Sequence, residues 1–354
     1  MRIRAWWGTT AVVLGGLLAA GCGGGSDDSA GDAPAGNSVS DGYPVTVTDC
    51  SGAETTFDEA PKQIVTSNAS SLELLLRLGA GDQVIGTGFP PGKGTLPAEL
   101  DAQAQKIEVM SEYVIPKEKL LGSGADVFVD TFGAMDMGGM ADVPTDEEFK
   151  AAGIKRVYLK STACAATDKT PVTDLSAVQD DITSLGAVTG TADKAKELVD
   201  GMKQKVDAVQ QAVGSTPEDE RPTYFFFDFD ASTKQPVVVC NRQVANAVIT
   251  LAGARNAFAD CDGDFQQVGW EDVIAKNPDW IQLGVRNRGS EAANDKAFDE
   301  AQKWLETNPA TKGLKAVEDG NFLRIGSEQT TIAGVTNADT VQQIARKLYP
   351  GKVG

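Results

Sequence analysis

Two groups of side chains in this sequence are suited to hold a broad ligand with apolar faces and anionic oxygens. In the first half, Phe89 follows the apolar run Gln83–Gly86, and Tyr113 follows Gln105-Lys106-Ile107. Phe132, Met135, Met137 and Met140 lie in a Gly-rich stretch after Val127-Phe128-Val129. In the second half, Phe229 and Asp230 follow Thr223–Phe227, Arg242 follows Val239-Cys240, and Arg286 and Arg288 follow Leu283-Gly284-Val285. Aromatic and methionine side chains match flat or greasy surfaces, and arginine forks match anionic oxygens. Loops beyond strand ends are where open α/β sheets bind ligands.

Other chemistries are excluded or weakened by composition. The 354 residues contain no histidine, which removes Ser-His-Asp and Cys-His catalysis, histidine-ligated zinc and a histidine ligand to haem. An enzyme built from this chain must rely on carboxylates, Lys, Tyr or a cofactor. The net charge of −18 repels phosphate backbones, so nucleic acid is not an expected partner. Asp260, Asp262, Asp264 and Glu271 fall at four EF-hand positions, but Phe265 stands where the loop needs glycine. Gly88–Lys93 is one residue short of a phosphate loop, and no Gly-x-Ser-x-Gly elbow occurs.

The elements that must position the candidate residues can be read from periodicity. Val45 and Val47 alternate in a small β entry over 43–57. Gln63–Thr66, Gln83–Gly86, Asp126–Val129 and Arg156–Leu159 read as strands separated by helical segments, one of them opening on a Ser70/Glu73 capping box. That alternation predicts parallel βα units. Leu175, Val178, Ile182 and Leu185 then recur at helical spacing, and Val199, Met202, Val206, Val209 and Val213 mark a second helix. Thr223–Phe227, Pro236–Val239, a helix over Val244–Ala252, Trp280–Val285 and a closing helix over Ala338–Leu348 form a second α/β block. Phe225–Phe227 read as core strand. The fold class is α/β: an N-terminal lobe over 43–172, a connecting helix over 173–190 and a C-terminal lobe over 191–354.

The start of the chain reads as an export signal. Arg2 and Arg4 precede the apolar stretch Ala11–Ala20, and Leu18-Ala19-Ala20-Gly21-Cys22 resembles a bacterial lipobox. That implies a signal peptide over 1–21, lipid modification of Cys22 and a flexible Gly/Ser/Asp/Ala tether over 22–42. Localisation at the outer face of the cytoplasmic membrane follows. Cys50, Cys164, Cys240 and Cys261 remain, an even number in an exported chain. Of three possible pairings, proximity in sequence favours Cys240–Cys261, which leaves Cys50 with Cys164.

The order of several segments carries a family resemblance. Pro61–Gly86, the Gln105–Ile107 and Pro116–Leu121 segments, Leu185–Gly190, Leu251–Asn256 and above all Trp270–Ile281 look like lipoprotein-type substrate-binding proteins of ABC importers for ferric siderophores, haem and cobalamin. The resemblance implies two lobes joined by one long rigid helix, with the ligand in the cleft between them. It implies a monomer that binds a ferric siderophore, with cobalamin or haem as the alternative, and no cofactor beyond iron in a bound chelate. With no histidine, Tyr113 is the axial candidate if the ligand is haem. An ABC permease with a cytoplasmic ATPase is the implied partner, and Glu118 and Glu271, one per lobe, are the implied docking carboxylates. A carboxylate-based envelope enzyme and a structural lipoprotein are the competing readings.

Overall fold

The computed structural model describes residues 42–133, 143–164, 167 and 169–353. These belong to one compact unit. The chain opens with the antiparallel pair β1 (Val45–Thr48) and β2 (Glu54–Phe57). There follow β3 (Ile64–Thr66), α1 (Ala69–Arg77), β4 (Val84–Gly88), α2 (Ala98–Ala104), β5 (Glu108–Ser111), α3 (Lys117–Leu121), β6 (Val127–Asp130), α4 (Asp146–Ala151), β7 (Lys155–Tyr158) and α5 (Lys160–Ala163). The five inner strands form one sheet in the order β5-β4-β3-β6-β7, every pair parallel.

Helix α6 (Ser176–Thr189) leaves this lobe and α7 (Ala192–Val213) packs against it. The second lobe comprises β8 (Thr223–Asp228), β9 (Val237–Val239), α8 (Val244–Leu251), β10 (Arg255–Asn256), β11 (Phe265–Gln267), α9 (Trp270–Lys276), β12 (Trp280–Gly284), α10 (Glu291–Thr307), α11 (Lys315–Glu318), β13 (Phe322–Arg324), α12 (Ser327–Thr331) and α13 (Asn337–Leu348). Its four-stranded sheet runs β10-β8-β12-β13 and is again parallel.

Alternation along the strands explains the layering. On β8, Tyr224 and Phe226 enter one apolar cluster while Phe225 and Phe227 enter another on the opposite face. On β6, Val127 and Val129 share the first cluster, and Phe128 lies in a third. Strands buried on both faces are continuously apolar, which is why Thr223–Phe227 and Val127–Val129 stand out in the sequence. The first cluster runs from α1 through α6 and α7 to α8 and α13, so the two lobes share one core.

Three local expectations are corrected. Helix α1 is capped by Asn68, whose side chain accepts from the Ser71 backbone, and not by a Ser70/Glu73 box; Glu73 instead pairs with Arg77 at 2.6 Å. Val237–Val239 is a strand, but it pairs antiparallel with Phe265–Gln267 in a separate ribbon outside the parallel sheet. The connecting helix occupies 14 residues, shorter than the 22 of α7. Gly190 ends it in the left-handed conformation, φ 75°.

Candidate functional site

In the N-terminal lobe, three expected residues come together beyond the C-terminal ends of β4, β5 and β6. The ring of Phe89 meets Tyr113 edge-on at 6.1 Å and Phe132 at 5.7 Å. Phe89 and Phe132 are half-buried, whereas Tyr113 is 73% exposed. Phe89 sits at φ 36°, a region rarely used by side-chain-bearing residues. Two bonds hold it there: its amide donates to the Tyr113 carbonyl at 3.2 Å, and its carbonyl accepts from the Ala69 amide at 2.9 Å. Gly88 permits the approach, since a Cβ there would lie 2.9 Å from Ile115 and the Ser67 carbonyl.

A polar layer supports this floor. The Asn68 amide donates to the Thr131 hydroxyl at 2.8 Å, and the Thr131 backbone donates to Ser67 Oγ at 3.0 Å. Asn68 therefore fixes the start of α1 and the chain leading to Phe132 together. Asp130 then accepts from the backbones of Phe132 and Gly133 at 2.8 and 3.1 Å.

In the C-terminal lobe, a second group gathers beyond β8 and β12. Phe229 donates its backbone N–H to the Gly284 carbonyl at 3.0 Å, and its ring stands edge-on to Phe227 at 6.1 Å. The Asp230 carboxylate accepts from the Arg286 backbone at 2.7 Å and pairs with the Arg288 guanidinium. Arg286 and Arg288 thus lie on one exposed turn organised by Asp230. Burial pushes the Asp228 carboxyl above its ordinary range, and the charge of Arg286 opposes that shift.

The loops that follow the two groups meet. The loop after Phe89 and the loop after Arg288 touch backbone to backbone: a Cβ on Gly94 would lie 2.8 Å from the Gly289 carbonyl, and one on Gly289 would lie 2.9 Å from the Lys93 carbonyl. Both glycines have positive φ, 75° and 80°. At the other end of the lobe junction the Val172 amide donates to the Asn241 carbonyl at 2.8 Å.

The remaining expected residues fall elsewhere. Arg242 lies 3.3 Å from Asp262 and lines a separate cavity of about 670 Å³ with Cys50, Cys164, Tyr158 and Asp181. Met135, like Met137 and Met140, lies outside the described residues, as does Cys22. Glu118 and Glu271 are exposed in the first turns of α3 and α9, one in each lobe. The Glu271 carboxylate folds back over Gly269, where a Cβ would meet it at 2.3 Å. Cys50 pairs with Cys164 and Cys240 with Cys261, with Cα separations of 5.3 and 5.0 Å. Sequence reasoning passed over Asn68, Asp130, Arg156 and the Gly94/Gly289 contact. Only the glycine-rich Gly92-Lys93-Gly94 and Arg288-Gly289 turns carry a signal, the need for positive φ.

The chain matches the periplasmic binding protein family over residues 64–329. It is 26% identical over 341 residues to an uncharacterized ABC transporter substrate-binding lipoprotein of Bacillus subtilis, YvrC, covering 96% of each chain. A cobalamin-binding protein of Halobacterium salinarum is 23% identical over 249 residues, 69% of this chain and 59% of that protein. Among solved structures, a protein of an ABC-type Fe3+-hydroxamate transport system from Saccharomonospora viridis superposes with a TM-score of 0.68 at 22% identity, covering 87% of this chain and 99% of the other.

Proposed function

The chain belongs to the periplasmic binding protein family, and from that premise we propose that it is the substrate-binding component of an ABC importer that captures a ferric siderophore between its lobes. The observation that carries this reading is the contact between the loops of two groups: an aromatic floor of Phe89, Tyr113 and Phe132 from one lobe, and the Arg286/Arg288 turn from the other. Aromatic faces desolvate the ligand's apolar surface, and arginines meet anionic chelate oxygens. Delivery of a ligand needs no bond-making group in the protein, and the family's role is binding. Lipid attachment at Cys22 would tether the body to the membrane, and Glu118 and Glu271 would engage basic residues of the permease, one from each lobe.

Titration of residues 43–354 against ferric hydroxamates, ferric catecholates, haem and cobalamin tests the reading. Trp270 and Trp304 supply the signal, because Phe227 lies 5.4 and 5.6 Å from their rings and touches Phe229 at the site. Saturable quenching by a ferric chelate, absent with its iron-free form, is the expected result. Saturation by cobalamin alone favours the second reading, which the cobalamin-binding relative supports. For haem, Tyr113 offers an exposed phenol oxygen as a ligand, and a Tyr113→Phe variant would remove it. Silence across the panel overturns both readings.

A further inference from the structure

Arg156 lies outside the ligand-facing groups, yet it touches the last residue of β6, two before Phe132, and the first residue of α4. Its Nη2 donates to the Asp130 carboxylate at 2.5 Å, and its Nη1 to Asp146 at 2.6 Å. Asp130 is where β6 ends, and its other oxygen holds the Phe132 and Gly133 amides. Asp146 is the first residue of α4, where the chain returns. The guanidinium carbon lies over two rings, 4.8 Å from the centre of Phe149 and 4.6 Å from that of Tyr158. The side chains of Arg156 and Asp130 are only 12% and 3% exposed.

From this geometry we infer that Arg156 is a positioning residue for ligand binding, a clasp that ties the end of β6 to the start of α4 and so fixes Phe132 against Phe89. An ion pair this buried adds little net stability, because desolvation offsets the attraction. Its value lies in the geometry it imposes. A planar fork can bridge two carboxylates while lying over aromatic rings; a lysine ammonium satisfies one at a time. Gly133 makes the turn equally unforgiving on its far side, since a Cβ there would lie 2.5 Å from the Ala163 carbonyl. Phe132 is therefore held from below by Asp130 and Arg156 and from the side by α5.

The affinity arm of this inference rests on the proposed role of the aromatic floor; the structural arm does not. Amide hydrogen exchange on the ligand-free protein reads the structural arm. In Arg156→Gln the Phe132 and Gly133 amides should exchange at least tenfold faster, with the amides of the C-terminal sheet unchanged. Arg156→Lys keeps a charge beside Asp130 and guards against a variant that does not fold; it should give an intermediate rate. Wild-type exchange at both amides in Arg156→Lys and in any folded Arg156→Gln overturns the clasp. The affinity arm is read on whichever member of the titration panel saturates the wild type. Arg156→Lys should raise its dissociation constant several-fold, mainly through a faster off-rate, with the unfolding midpoint nearly constant. Faster exchange with unchanged affinity would leave Arg156 holding the loop but overturn its role in ligand binding. Unchanged affinity in Phe132→Ala as well would place that failure in the reading of the aromatic floor.

Discussion

At φ 36°, Phe89 holds a backbone conformation that costs a side-chain-bearing residue about 1–2 kcal/mol, and it does so between two loop hydrogen bonds and two aromatic rings. The strain is tolerated because it aims the ring at Tyr113 and Phe132. Removing the ring and removing the strain are separable. Phe89→Gly should be more stable to urea than Phe89→Ala, with an unfolding free energy higher by about 1 kcal/mol and a higher midpoint, while both lose roughly tenfold in ligand affinity. Equal midpoints would refute the strain. Arg288 gives a complementary case. Its pair with Asp230 is 43% exposed on the arginine side, so its loss should cost under about 1 kcal/mol of stability. If the ligand is anionic, Arg288→Ala should still weaken binding about tenfold, most strongly at low ionic strength. Binding that is insensitive to both salt and this substitution would point to a neutral ligand.

Between elements, the least expected coupling is a buried carboxylate. Asp181 on α6 accepts from the Lys160 and Ser161 backbones at 2.7 and 2.9 Å, which joins the connecting helix to α5. Burial pushes its pKa up to about 6, against the opposing pull of those hydrogen bonds and of Lys160. A folded-state value above the unfolded one means that the folded chain holds this proton more tightly. Its stabilising contribution is full below about pH 4 and is lost as pH rises through about 6, on the order of 2–3 kcal/mol in total. Urea unfolding at pH 4, 5, 6 and 7 should show that decline in the wild type and a flatter profile in Asp181→Asn. Identical slopes would reject it. This coupling also marks the limit of what the sequence makes legible. Parallel strands buried on both faces leave unbroken apolar runs, so Val127–Val129 and Thr223–Phe227 announce both sheets, and the residues just beyond the strands of those sheets include Phe89, Tyr113, Phe132, Arg286 and Arg288. Contacts between side chains far apart in sequence leave no such trace. Nothing local in Arg156 signals Asp130, and nothing in Asn68 signals Thr131. The pairing of Val237–Val239 with Phe265–Gln267 was hidden for a different reason: an antiparallel ribbon strand and a central strand have the same short β-branched composition.

For the molecule as a whole, the question is how far the lobes can separate. The chain passes between them through α6, and the apolar cluster that contains α6 and α7 continues into both lobes. A shared core resists a wide hinge, because opening it would expose buried side chains such as Leu185 and Val188. The loop contact is lighter: there the lobes meet through two glycine backbones with no side chain between them. Gly94→Ala places a Cβ 2.8 Å from the Gly289 carbonyl, at a positive φ that alanine also resists. The loops must move apart. The variant should therefore bind and release ligand faster, with off-rate rising more than on-rate, and lose about 1 kcal/mol of stability from the backbone conformation alone. Only a displacement that passes beyond the loops into the lobes would change the spacing between Glu118 and Glu271, which sit on opposite lobes. A rigid partner that reads that spacing would dock the variant less well even at saturating ligand. Charge reversal at both sites, Glu118→Lys with Glu271→Lys, isolates the partner term: transport in cells should be abolished while the dissociation constant of the purified protein stays within about twofold, since neither carboxylate lies in the aromatic–arginine rim. If Gly94→Ala leaves ligand kinetics and transport unchanged while the reversed pair still blocks transport, then the glycine contact is a packing accident and the lobes are fixed by the core alone. If both variants depress transport and only Gly94→Ala alters release, the rim sets ligand exchange and the two carboxylates report its geometry outward.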